Sequence, residues 1–361
     1  MKYRAPGRVN LIGEHTDYNE GFVVPVALDL ACEVTVEPRT DGRLLVDSVN
    51  LRKWRSWMVD EVASLHPRRH WTDYIVGVAQ ELLHAGIELQ PATLRIESSV
   101  PVGAGLSSSA SLEVAVALAL LDGRKMDRLE LALLCHRAEN RFVGLPCGPM
   151  DQLISVFGEE ESALKIDCRD LSREAVRLPQ GIVFVAVNSM VKHALGESAY
   201  RQRVDQCRAA CGQLGVRSLR DLNLEQLGRL SGVALQRARH IVTENERVES
   251  FLTASRRGDI VEMGRLMTAS HTSLQTDYEV SCEELDFLVA SAIAVEGVLG
   301  SRLTGGGFGG CTVTMMRAGL ESHFAERVST AYKSRYAMVP EVYEVRPSAG
   351  AGASESRQHY G

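Results

Sequence analysis

Three short segments of the chain carry side chains of the kind that do chemistry. Residues 101–111, PVGAGLSSSAS, set two glycines and a run of three serines directly ahead of an apolar stretch. Small side chains and free backbone N–H groups then sit at a helix N-terminus, where the helix dipole favours an anion. The serine hydroxyls there can donate to phosphate oxygens or ligate Mg²⁺. The P-loop pattern GxxxxGK[ST] is absent and no Gly-Lys pair occurs, so a phosphate loop here is not of the P-loop NTPase kind. Taken alone, the segment also fits a flexible connector. In residues 5–18, APGRVNLIGEHTDY, Glu14, His15 and Asp17 bring three titratable groups within four residues, with Arg8 upstream. Such a loop suits paired hydrogen bonds to vicinal sugar hydroxyls, and a solvated turn is the plainer alternative. A metal site lacks a second His at ligand spacing. In residues 139–152, ENRFVGLPCGPMDQ, Glu139 lies near a helix end and Asp151 follows a Pro/Gly turn. Two carboxylates across a rigid turn can divide labour, one on a metal and one accepting a proton, although an Asp at a helix start is commonly just a cap. The Gly-rich run 305–310 fits either a sheet-edge bulge or a close backbone approach to a ligand.

The elements that must position these groups are short, and strand and helix patterns are mixed. Residues 22–37 and 92–100 read as extended chain. Residues 112–121, LEVAVALALL, are apolar almost all round and predict a buried helix. Asp127 with Glu130 predicts a capping box, for a helix that runs to about Phe142 and stops at Gly144. Residues 182–187 predict a buried strand, and 198–271 a mainly helical region broken at Gly258. Ser281 with Glu284 predicts another capping box. The elements do not alternate strictly as βαβ, so the expected class is α+β. At 361 residues the chain exceeds the ~250–300 at which one core stops growing, so two domains are expected, 1–178 and 179–361. Forty Lys plus Arg against 46 Asp plus Glu leaves a net charge of −6, which argues against a nucleic-acid partner. The longest apolar run, Val114 to Leu121, is too short for a membrane span, and the start MKYRAPGR has no apolar stretch for a signal peptide. The eight cysteines include no Cys-x-x-Cys pair. Cys207 and Cys211 could share a helix face as half a metal site, but buried packing residues are the simpler reading. A reducing, cytoplasmic setting follows.

Together these segments resemble the galactokinase family, within the superfamily of galactokinase, homoserine kinase, mevalonate kinase and phosphomevalonate kinase (GHMP). APGRVNLIGEHTDYNEGFVVP matches the family signature and PVGAGLSSSASLEVAVA the superfamily phosphate loop. CGPMDQLIS matches the catalytic segment and SRLTGGGFGGCTV the third motif. GESAYRQR and SHTSLQTDYEVSCEELD also follow the family pattern. The resemblance implies transfer of the ATP γ-phosphoryl group to the C1 hydroxyl of α-D-galactose, with Mg²⁺ as cofactor. It implies Asp151 as proton acceptor and Arg8 as the cation on the transition state, with Ser109 and Glu139 on the metal. Glu14, His15, Thr16, Asp17, Gly148, Asp151 and Tyr200 would hold the sugar. Ser48 and the loop Gly103, Ala104, Gly105, Leu106, Ser107, Ser108 and Ser109 would hold the nucleotide. The implied fold is a two-domain GHMP kinase, its N-terminal half like ribosomal protein S5 domain 2 and its C-terminal half ferredoxin-like. Partners would be small molecules, galactose and ATP, on a monomer or a dimer. A related monosaccharide 1-kinase, acting on N-acetylgalactosamine or L-arabinose, and a non-catalytic sugar and ATP sensor are the alternatives. Intact Glu14, His15 and Asp17 favour galactose, and the complete Ser107–Ala110 run argues against the sensor. Three departures stand out: Pro149 where the family usually has Ile, Asn19-Glu20-Gly21 after the sugar loop, and a start four residues before the APGR motif.

Overall fold

The computed structural model describes residues 1–192 and 196–354. The N-terminal half is built on a mixed sheet. Its strands are β1 (Lys2–Asn10), β3 (Pro25–Pro38), β4 (Arg43–Ser48), β5 (Lys53–Met58), β6 (Ala92–Ser98) and a short C-terminal β13 (Gly352–Ala353), in the order β13-β1-β3-β6-β4-β5. β2 (Phe22–Val23) pairs instead with β7 (Ser162–Asp167), which pairs with β8 (Arg173–Arg177). Helices α1 (Asp73–His84), α2 (Ser108–Leu121), α3 (Arg128–Arg137) and α4 (Met150–Phe157) share one apolar core with β1, β3, β4 and β6. Within it α2 is apolar on nearly every face, because neighbouring helices and the sheet surround it.

In the C-terminal half, β9 (Ile182–Lys192), β10 (Val298–Thr304), β11 (Gly309–Arg317) and β12 (Glu341–Val345) form an antiparallel sheet in the order β10-β11-β9-β12. That is a ferredoxin-like strand order, with helices inserted between β9 and β10: α5 (Gly196–Leu214), α6 (Gly232–Arg257), α7 (Ile260–Thr276) and α8 (Glu283–Ile293). α9 (Glu321–Tyr336) joins β11 to β12 and packs with α8 on a second core. A further core joins the halves, setting Val9, Leu11 and Val26 against Phe251, Met263 and Met315. After β12 the chain crosses back: the Ser348 amide donates to Ala27 O at 2.9 Å, and β13 pairs with β1. No described helix is long and apolar enough to cross a membrane.

The expected α+β class is what the structure shows, and Gly258, at φ +69°, ends α6 where a break was predicted. The two capping boxes differ. Asp127 accepts from the Leu129 and Glu130 amides, but Glu130 turns to Arg137 at 2.6 Å instead of reaching back. At α8 the cap moves one residue on to Cys282, because Ser281 spends its hydroxyl on Asp286.

Candidate active site

The site begins at a kink in β1. The register with β3 shifts between Pro6 and Arg8, and the residue between them must be glycine: a Cβ on Gly7 would lie 2.6 Å from Leu106 O. This close approach seats the 101–111 loop on the strand. The Arg8 amide donates to Leu106 O at 3.1 Å, and its Nη1 to Gly105 O at 2.6 Å. Nε and Nη2 donate to Asp151 Oδ1 and Oδ2, each at 2.7 Å, a two-pronged ion pair. Asp151 lies in the first turn of α4, but Pro149 holds the cap position. The Asp151 carboxylate turns away from its own helix to Arg8 and to Ser107 Oγ, so it is not a cap.

Two cavities meet at this pair. One, of about 260 Å³, is lined by Glu14, His15, Asp17, Gly148, Tyr200 and the glycines of 305–310, with Arg8 and Asp151 at its end. Asp17 is buried, and its pKa rises to about 7, from burial first and then from the charge of Asp151. A Cβ on Gly148 would stand 2.5 Å from Asp17 Oδ2, so only glycine leaves this carboxylate its place. Glu14 pairs with Arg302 at 2.6 Å, and accepts from Asn10 at 3.1 Å and from the Gly305 amide at 2.7 Å. Burial pushes its carboxyl upward while Arg302 and Arg8 pull against that. His15, at φ +61°, is held well below its ordinary range, by burial first and then by His240 and two arginines. Thr16 corrects one expectation. Its hydroxyl is buried against Gly13 O and Phe22 O, closing the loop, and it does not line the cavity.

Helix α6 braces this loop from the other half. Glu244 Oε1 accepts from the Gly13 and Glu14 amides at 2.9 and 3.2 Å and from Ser270 at 2.7 Å, and Arg247 pairs with its second oxygen at 2.7 Å. Burial opposes its charge, but Arg247, His240 and Arg302 outweigh burial and hold the carboxyl below its usual range. His240 Nε2 lies 3.0 Å from Glu14 O, and Asn245 accepts from the Phe22 amide at 2.9 Å.

The second cavity, of about 580 Å³, is lined by Ser48, Gly103, Gly105 and Ser107 to Ser109, with Leu51, Trp71 and Tyr74 on its apolar wall. Ser107, at φ +59°, occupies the N-cap position of α2 with its hydroxyl given to Asp151, and the start of that helix faces the cavity. Ala104 and Leu106 do not line it. Their side chains are buried in the core between the halves, so they contribute only loop backbone.

Glu139 lines the smaller cavity and reaches Ser109 on the wall of the larger. α3 continues into a π-helical turn, Ala138–Val143, that carries it. Its carboxylate accepts from Gln152 Nε2 at 2.7 Å, from Cys147 Sγ at 3.4 Å and from the Ser109 hydroxyl. Its pKa is raised, by burial and then by Asp151 nearby. Among the described residues no cluster of three or more His, Cys, Asp or Glu forms a metal cage. A buried carboxylate beside a second carboxylate and a serine hydroxyl nevertheless offers the hard oxygen donors that Mg²⁺ takes when phosphates and water complete its shell.

Comparison with known proteins decides the family. The chain is 46% identical over 360 residues to the galactokinase of Roseiflexus sp. (strain RS-1), covering 97% of this chain and 92% of that one. It belongs to the galactokinase family. Family profiles described as "Galactokinase galactose-binding signature", "GHMP kinases N terminal domain" and "GHMP kinases C terminal" match residues 1–38, 73–159 and 251–334. The galactokinase of Bos taurus is 46% identical over 91% of this chain and 86% of its own. A crystal structure of Lactococcus lactis galactokinase complexed with galactose superposes with a TM-score of 0.93 at 34% identity, covering 98% of this chain and 95% of that one.

Galactokinase-family motifs led to most of the cavity lining, and the structure adds groups those motifs did not mark. Trp71 and Tyr74 lie outside any Gly-rich or acidic cluster, and an aromatic pair in a helix start reads as ordinary core. Glu244 and His240 fall on an amphipathic helix far along the chain, where nothing local tells a polar brace from a solvated face. Arg302 had a signal: it sits inside the SRLTGGG motif, three residues before Gly305.

Proposed function

We propose that this protein is a galactokinase, transferring the γ-phosphoryl group of ATP to the C1 hydroxyl of α-D-galactose. The observation that carries the reading is the Arg8–Asp151 pair at the junction of a small polar cavity and a larger one faced by a helix N-terminus. The sugar occupies the first cavity, and the nucleotide the second, with its phosphates over the 103–109 loop. Phosphoryl transfer needs positioning and charge neutralisation more than covalent chemistry. A carboxylate offers about four lone-pair sites, and Asp151 accepts from two Arg8 N–H groups and Ser107. That leaves about one site for the attacking hydroxyl, whose proton Asp151 accepts or polarises. Arg8 has five N–H donors and spends three on Asp151 and Gly105, so two remain for the transferring group. Asp17 accepts from sugar hydroxyls, and Glu14 holds the Gly-rich loop against them.

Ser109 and Glu139 would hold Mg²⁺, which when bound neutralises phosphate charge. The domain division is placed near residue 178, after β8, with 347–354 returning to the first half. The eight free cysteines support a reducing, cytoplasmic setting, and a site completed within one chain supports a monomer. ADP release by the purified protein over a panel of free monosaccharides tests the activity. Galactose should give the fastest rate, and a galactose rate at background overturns the reading.

A further inference from the structure

His15 lines the sugar cavity, and its Nδ1 meets a file of hydrogen-bonding groups. The residue is 4% exposed. Nε2 is buried with no partner of hydrogen-bonding geometry, the Gly306 backbone lying beside the ring. Nδ1 is 2.8 Å from the Tyr18 hydroxyl, which is 2.8 Å from the Tyr278 hydroxyl, which is 3.0 Å from Cys207 Sγ. Packing holds the file in place: the His15 and Tyr278 ring centroids are 4.8 Å apart, and Tyr278 packs at 4.5 Å, tilted by 40°, against His240 from α6.

A neutral imidazole carries one proton, and the partner of one nitrogen decides which nitrogen holds it. The file has two possible directions. With hydrogens running toward Cys207, Nδ1–H donates to Tyr18, and the Tyr278 hydroxyl must donate to sulfur, a weak acceptor. With hydrogens running toward His15, the thiol donates to Tyr278, Tyr278 to Tyr18, and Tyr18 to the bare Nδ1. The second direction gives each strong O–H donor an oxygen or nitrogen acceptor and gives sulfur the donor role within the file. It also agrees with burial keeping His15 neutral.

We propose that Tyr18, Tyr278 and Cys207 form a proton-ordering relay that fixes His15 as its Nε2–H tautomer, presenting a hydrogen-bond donor to a sugar oxygen. This rests on the reading that a sugar fills the cavity. A hydroxyl can both donate and accept, so its orientation is set only where the protein offers groups of fixed character. Asp17, once ionised, only accepts, and a relay-locked His15 only donates. Tyr18 and Tyr278 are then positioning residues for substrate selectivity, though neither lines the cavity.

Ring-¹⁵N histidine NMR on the sugar-free full chain tests the relay directly, with the His15 signals assigned by a His15→Gln variant. The expected wild-type state is Nε2–H. Tyr18→Phe should leave Nδ1 without its donor and shift His15 toward the other tautomer. The galactose KM of that variant should rise about three- to tenfold, the loss of one neutral hydrogen bond, with kcat and the ATP KM changed less than about twofold. Across the monodeoxygalactoses the penalty should vanish for the one lacking the hydroxyl that His15 serves. Cys207→Ser, which supplies the same donor, should keep the wild-type tautomer. If Tyr18→Phe does not fold, Tyr278→Phe breaks the file one link further in and is read by the same spectra. An Nδ1–H tautomer in the wild type, or unchanged His15 signals in a folded Tyr18→Phe or Tyr278→Phe protein, overturns the relay. Absence of galactose turnover in the wild type overturns the functional reading instead, and the sugar-free spectra still decide the relay.

Discussion

The two cavities that meet at Arg8 and Asp151 are built in opposite ways. The smaller is walled by buried charge, with Asp17 and Glu14 inside and Arg302, Glu244 and His240 bracing them from the other half of the chain. The larger is walled by backbone, short hydroxyls and apolar side chains, and its loop leaves Val102 78% exposed. The difference follows from what each ligand carries. A polyphosphate brings its own charge, so oriented amides and a helix dipole suffice. A neutral sugar brings only hydroxyls, so the protein must supply the polar groups, bury them, and hold them against their tendency to neutralise.

The largest test of this contrast falls at the junction. Asp151→Asn keeps the shape of the side chain but removes its charge and basicity. kcat should fall about 10²–10⁴-fold while galactose affinity, measured by equilibrium binding, survives. A kcat within threefold of the parent would sink the catalytic assignment.

On the sugar side, Asp17→Ala should raise the galactose KM by roughly tenfold to a hundredfold, for a charged hydrogen bond worth about 1.5–3 kcal/mol. The ATP KM should hardly move. A collapse of ATP binding instead would mean that the two walls are not separable. Between the cavities, Glu139→Gln should raise the Mg²⁺ concentration needed for half-maximal rate by about tenfold, partly rescued by Mn²⁺. Unchanged metal dependence would leave Glu139 a structural group.

A further effect is on stability. Asp17 has a pKa near 7 in the folded chain against 3.8 for an ordinary aspartate. Between those values the folded state binds the extra proton, so its ionisation weakens the fold, and stability falls as pH rises from about 4 to about 7. Asp17→Asn removes that slope. At pH 8, sugar-free Asp17→Asn protein should be more stable than the parent by roughly 2–4 kcal/mol, read by urea unfolding, and near-equal to it at pH 4. A parallel pH dependence in both proteins would place the strain elsewhere.

The same contrast explains what the sequence made legible. The phosphate wall is local: a glycine and serine run ahead of an apolar helix announces it, and the structure puts Ser107 at that helix cap. Glu14, His15 and Asp17 are also local, three polar groups within four residues. Their supports are not local. Glu244 touches Gly13 across 231 positions and Arg302 touches Glu14 across 288, distances over which no periodicity or spacing speaks. Thr16 shows the converse, since a residue inside the motif turned out to close the loop. Helix ends were readable where glycine forced them, as at Gly258, and missed where a competing partner captured the capping side chain, as with Ser281 and Asp286.

The return of the chain after β12 bears on how the molecule is made. Residues 348–353 bond to β3, to β1 and to the end of α4: Ala351 donates to Ser155 O at 2.8 Å and Gly350 to Gly158 O at 2.7 Å. β1 carries Arg8 and α4 carries Asp151. On a ribosome, these two elements emerge well before residues 348–353, which bond to both. The outer edge of β1 at Tyr3 and Arg4 stays unpaired throughout that interval, open to other strands. The two elements that carry the reacting pair are therefore tied together by a late segment, and a nascent chain stalled before residue 347 holds both without that tie.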